Sequence, residues 1–104
     1  MDFAFAGFDW DEGNRDKCQM HGVALAAIES LFYGSLAVFP DLVHSRVEER
    51  FKAVGWTAEG RGVLIVFTMR KKASGIFIRP VSARYMHRKE VAYYEKETAT
   101  PAKR

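Results

Sequence analysis

Apolar positions recur along the chain with two different periods, and each change of period marks an element. Leu25, Ile28, Leu31 and Phe32 recur at helical spacing, which predicts a helix from about Ala24 to Tyr33 with Gly34 as its stop. An earlier helix is predicted to be capped by Asp9, with Glu12 at the capping-box position, and to end at Gly22. Trp10, Asn14, Cys18 and His21 share one of its faces. Phe3 to Phe8 reads as a short strand, and "SLAVFPD" as another, ended by Pro40. From Arg46 to Trp56 the period becomes two: Val47, Glu49, Phe51 and Ala53 point one way, Arg46, Glu48, Arg50 and Lys52 the other.

"GVLIVFTMR", 62 to 70, is a continuous apolar run and predicts a central strand covered on both faces. "TAEGRG" before it and "KKASG" after it supply hairpin loops. Ile76 to Ala83 is then a third consecutive antiparallel strand, in which Pro80, lacking an N–H, marks an edge or a bulge. A last helix is predicted from Tyr85 to about Lys96. The order is α+β: N-terminal helices packed on a small antiparallel sheet of about four strands, with a C-terminal helix. A chain of 104 residues accommodates one such domain, placed at 1–95, with "KETATPAKR", 96–104, as a polar tail.

Composition narrows the class. A chain 48% hydrophobic and 28% charged folds around a core and is not a disordered segment. Cys18 is the only cysteine, which excludes an intramolecular disulfide, a zinc knuckle and a CxxC redox pair, and favours the cytoplasm. No run approaches the roughly 18 apolar residues of a membrane span, and the N-terminus lacks the basic region of an export signal. His44 and His87 have no second ligand at metal spacing, and Gly55, Gly60 and Gly62 surround a turn without forming a nucleotide-binding motif. Neither a metal nor a cofactor is expected.

Charge adds direction. The net charge is only +3, but Asp2, Asp9, Asp11, Glu12, Asp16 and Glu29 crowd the first thirty residues against Arg15 and Lys17 alone. The cations gather in the second half, and "IRPVSARYMHRKE" alone holds Arg79, Arg84, His87, Arg88 and Lys89. A strand that brings cations to the end of a core needs an anion to meet them, and RNA phosphate is the expected one.

Three stretches then carry a resemblance: "FDWDEGNRDKCQMHGV" at 8–23, "EERFKAVGWTAEGRGVLIVFT" at 48–68 and "IRPVSARYMHRKEVAYYE" at 78–95. Together, in this order and spacing, they resemble the BrnT family of bacterial toxins, small ribonucleases with a RelE-like fold. The resemblance implies a type II toxin that cleaves mRNA and arrests translation, neutralised by a BrnA-type ribbon-helix-helix antitoxin. It also implies that DNA is met only indirectly, through a toxin–antitoxin complex that represses its own promoter. One departure stands out: the family usually has Lys-His-Gly where this chain has Met20-His21-Gly22, with Lys17 one turn earlier as a substitute.

Metal-free RNA cleavage needs an activated 2′-hydroxyl, a stabilised phosphorane and a protonated leaving oxygen. A guanidinium suits the second task, because its planar fork meets two phosphate oxygens and stays charged. The resemblance carries the leading roles to Arg61, at a hairpin tip, and Arg79, on the third strand. Arg84, Arg50, Lys17 and Arg88 follow as substrate-binding cations, some of which could instead meet an acidic antitoxin segment. For any one arginine the plain alternative is a solvated face. His21 is a general acid or base, or a helix-terminal residue bonded to the last carbonyls. Glu49 is a general base, or a carboxylate paired with an arginine on a buried strand face. Trp10, Trp56, Tyr93 and Tyr94 either stack on bases or fill the core. Two other classes remain open: a catalytically weak or inactive homologue acting through its antitoxin, kept open by Met20, and an RNA-binding module without cleavage.

Overall fold

The computed structural model describes residues 4–43 and 46–98. In chain order the elements are β1 (Gly7–Phe8), α1 (Glu12–Gln19), α2 (Leu25–Phe32), β2 (Ala37–Pro40), β3 (Phe51–Trp56), β4 (Gly62–Lys72), β5 (Gly75–Tyr85) and α3 (Arg88–Thr98). The strands form one sheet in the order β1-β5-β4-β3-β2, antiparallel except where β1 runs parallel to β5. The class is α+β as expected, with five strands instead of about four. Phe3 of the first expected strand, His44 and residues 99–104 of the expected tail lie outside the described residues.

The apolar run of β4 sits in the middle of the sheet because it can be covered on both sides. On one face Val63, Ile65 and Phe67 pair with Gly55, Ala53 and Phe51 of β3. That face is closed by Ile28, Leu31 and Phe32 of α2 and by Cys18 of α1, with the Phe32 ring edge-on to Phe67 at 5.0 Å. Burial pushes the Cys18 thiol up to about 11, so it stays protonated at neutral pH and serves as core. On the second face lie Leu64, Val66, Thr68 and Arg70, beside Lys52 and Val54 of β3. Helix α3 is tied to this face through Tyr94 against Phe39 of β2 and through Glu90 to Arg84.

Pro80 marks a bulge, at a point where β1 no longer pairs with β5. Val66 faces Ser82 while Phe67 faces Pro80, so Val81 is the extra residue in β5. The insertion changes which side chains share a face: Arg79 pairs with Thr68, Ser82 with Val66 and Arg84 with Leu64, all on the second face. Simple alternation would have put Arg79 opposite Ser82 and Arg84.

Among the boundaries that differ from the sequence reading, three bear on the site. The cap of α1 is Asp11 with Asn14 as its partner, two residues later than Asp9 and Glu12. Asp9 is still strand, its N–H donating to the Ile78 carbonyl, and the first helical bond runs from the Arg15 N–H to the Asp11 carbonyl, while the Asp9 carbonyl accepts the Asn14 amide. β3 starts at Phe51 and not at Arg46, since β2 ends its pairing at Pro40 opposite Phe51. Tyr85 belongs to β5, paired with Val63, and α3 begins at Arg88.

Candidate nucleic-acid interface

Where α1 meets the second face, Asp11, Lys17, Glu48, Arg50, Arg70 and Arg79 line a cleft of about 350 Å³. Its lining sets four cations against two carboxylates. Arg79 comes from β5 just before the bulge and Arg70 from the end of β4, while Glu48 and Arg50 come from the loop before β3. Lys17 is in the last turn of α1, where a cation also suits the helix dipole.

The Arg79 guanidinium is held in one orientation. Its Nη2 donates to Asp11 Oδ2 at 2.7 Å, and its Nη1 to the Asp9 carbonyl and Oδ2 at 3.4 and 3.5 Å. Asp11 in turn accepts the Asn14 backbone N–H, and that bond, ahead of the one from Arg79, holds its carboxyl below the usual range. Asn14 is buried, and its Nδ2 donates to the carbonyls of Asp9 and Pro80. The carbonyls of Ile76 and Ile78 on this edge of β5 are met by Ala6 and Asp9 N–H groups, so the Asn14 amide continues the ladder where the chain has turned into a helix. Arg70 pairs with Glu48 at the cleft wall, half-exposed, a kind of contact that contributes little stability and exchanges readily for another anion.

A second depression of about 230 Å³ adjoins on the same face, lined by His21, Leu64, Val66, Ser82, Ala83 and Arg84. Thr68–Arg79 and Val66–Ser82 are successive same-face pairs, so Arg79 of the first hollow and Ser82 of the second are one strand step, about 7 Å, apart along the sheet. Arg84 makes two 2.7 Å hydrogen bonds with the Glu90 carboxylate. Those bonds first, and the His87 N–H second, bring the Glu90 carboxyl down to about 2 from 4.5. A lowered folded-state value means that the bond stabilises the docked helix fully above pH 4.5 and is lost as pH falls towards 2. Tyr94 chemical shifts are therefore expected to move across that window in the wild type and not in Glu90→Gln; identical titrations would refute the coupling.

The other candidate residues lie outside these hollows. Arg61 is exposed at the β3–β4 hairpin, its guanidinium 3.4 Å over the Tyr85 ring, a cation–π contact at the far end of the sheet. From Gly62 to Thr68, the partner of Arg79, is about 20 Å of strand, so Arg61 and Arg79 do not meet one phosphate. Glu49 is exposed and not on a buried strand face: Val47 beside it is 99% exposed, and the Glu49 backbone carbonyl accepts the Thr68 hydroxyl at 2.6 Å. The paired carboxylate is its neighbour, Glu48. Arg88 is exposed at the start of α3. Trp10 packs partly against the core and donates to Glu29 at 2.8 Å. Arg70, Asp11, Asn14 and Ser82 carry no site role in the sequence reading; of these, the Asp-x-x-Asn spacing of Asp11 and Asn14 is a usable signal. Among the described residues, no three His, Cys, Asp or Glu side chains gather as a metal-ligand set, and no helix is long and apolar enough to cross a membrane.

A family model described as the ribonuclease toxin BrnT of type II toxin–antitoxin systems matches residues 10–90. The chain belongs to the BrnT family. No curated protein matches it. The BrnT match runs from Trp10 into the first turn of α3 and so contains both hollows, with Arg61 at the hairpin between β3 and β4. Membership makes this chain a ribonuclease toxin with RNA as substrate and an antitoxin as partner.

Proposed function

We propose that this BrnT-family toxin is an endoribonuclease that cleaves mRNA without a metal ion, stops translation in the cytoplasm and is neutralised by a ribbon-helix-helix antitoxin. The observation that supports it best is Arg79, fixed by Asp11 and Asp9 in a cleft with an excess of cations. A guanidinium has five N–H donors. The contacts to Asp9 and Asp11 leave the Nε–H and one Nη2–H for phosphate oxygens.

In the proposed step the 2′-oxygen attacks the adjacent phosphorus and its proton passes to a base. The bond from phosphorus to the 5′-oxygen breaks, and that oxygen takes up a proton, leaving a 2′,3′-cyclic phosphate and a 5′-hydroxyl. Arg79 stabilises the extra charge of the phosphorane, while Arg50, Arg70 and Lys17 hold flanking phosphates. His21, at the rim of the neighbouring hollow, is the proton carrier. Arg61 binds RNA further along the strand, and Glu49 has no part.

Expressed alone, the protein is expected to arrest growth, and co-expression of its antitoxin to restore it. Purified protein is expected to cut single-stranded RNA in EDTA, leaving cyclic phosphate ends. Met20 favours a second reading: it is 68% exposed beside His21, where the BrnT pattern carries lysine. If only Met20→Lys cuts, with or without ribosomes, the chain is a decayed toxin that acts through its antitoxin and their promoter. If neither cuts under any of these conditions, the ribonuclease reading is wrong.

A further inference from the structure

We infer that the hollow lined by His21, Leu64, Val66, Ser82, Ala83 and Arg84 is a pocket for one unpaired nucleobase, which makes this chain selective for the base beside the phosphate it cleaves. The inference rests on the RNA reading above and adds a subsite to it. Its lining differs in kind from the Arg79 cleft. Leu64 and Val66 give an apolar floor, suited to the face of a planar ring and not to a phosphate. Its one permanent cation, Arg84, is already neutralised by two hydrogen bonds to Glu90, so little surplus charge is left to draw an anion. At about 230 Å³ it falls below the roughly 300–1,000 Å³ of sites for drug-sized ligands, a size for a single ring system.

The polar groups are few and aimed from a rigid sheet. Ser82 offers a hydroxyl that both donates and accepts. Arg84, braced by Glu90 and the Tyr85 carbonyl, keeps an Nε–H and an Nη2–H for acceptors on a base edge. His21 supplies an imidazole wall on which a base can stack. The bulge at Val81 puts Ser82 and Arg84 on the face that carries Arg79, one and two strand steps away, so that a base and its neighbouring phosphate can occupy the two hollows together.

The test uses short fluorescent single strands with identical flanks, each carrying A, C, G, U or an abasic site at one position and 2′-deoxyribose throughout to prevent cleavage. Binding is followed by anisotropy to the full-length protein. The wild type is expected to favour one base by about tenfold or more over the others and over the abasic strand. Ser82→Val should bring the five affinities within about twofold of one another, and Ser82→Thr, which keeps the hydroxyl, should restore the preference. Arg79→Gln should weaken all five alike. Equal affinities in the wild type, or a preference that survives Ser82→Val, overturn the pocket. Cleavage with no base preference leaves the ribonuclease reading standing without the pocket, and base preference without cleavage does the reverse.

Discussion

Arg79→Ala is expected to lower the rate of RNA cleavage in EDTA by on the order of 10²-fold or more, the scale for removing one donor to a developing negative charge. Two effects add. The guanidinium that meets the phosphorane is lost, and Asp11, together with Asp9, which keeps only Lys72, turns negative charge towards the RNA. Arg79→Lys separates them, because it keeps a cation between the carboxylates but has no planar fork. Its rate should fall between wild type and alanine. Single-turnover cleavage of a labelled strand measures this, and circular dichroism checks that the sheet persists. An alanine variant within threefold of wild type would move the chemistry away from this cleft, with the Arg84 and His21 hollow the next place to look.

Asn14→Asp should be the most destabilising isosteric change on this face, by at least about 2 kcal/mol in urea unfolding. The residue is 7% exposed, so its amide bonds are shielded from water. Aspartate keeps the acceptor for the Asp11 N–H but replaces the donor to the Asp9 and Pro80 carbonyls with a negative oxygen. It also adds a third carboxylate beside Asp9 and Asp11. Asn14→Ala should lose somewhat less, since it strands the same carbonyls without burying a charge. The network passes through Asp11 to Arg79, so Asn14→Ala should lower cleavage even at temperatures where the protein stays folded. A change below about 0.5 kcal/mol for Asn14→Asp would mean that water replaces the amide.

Much of the candidate site was legible one residue at a time. Arg79, Arg50 and Lys17 were singled out and share the first cleft; His21 and Arg84 were singled out and share the second hollow. Nothing in the local sequence distinguishes Arg70 from Lys71 and Lys72, which follow it. Glu49 was chosen over Glu48 because alternation was carried through 46–50, where no neighbouring strand enforces it. Asp9 with Glu12 three residues on has the capping-box spacing, so the local pattern points to Asp9 as the cap. Strand pairing keeps Asp9 in the β1 ladder, and the helix starts with the Arg15 N–H bonded to the Asp11 carbonyl.

The apolar run of β4, the helical stripe of α2, the glycine-bearing hairpin loops and the bias of charge are local properties, and they determine an α+β domain with a basic second half. Sidedness is not local. Arg79 and Arg84 are five apart, an odd spacing that places them on opposite faces of a regular strand. They share a face because the extra residue Val81 resets the alternation, and that bulge exists only through the register between Val66–Phe67 and Pro80–Ser82. Whether the cations of this chain form one interface or two scattered patches was therefore decided by strand pairing, since each step of register turns every later side chain over.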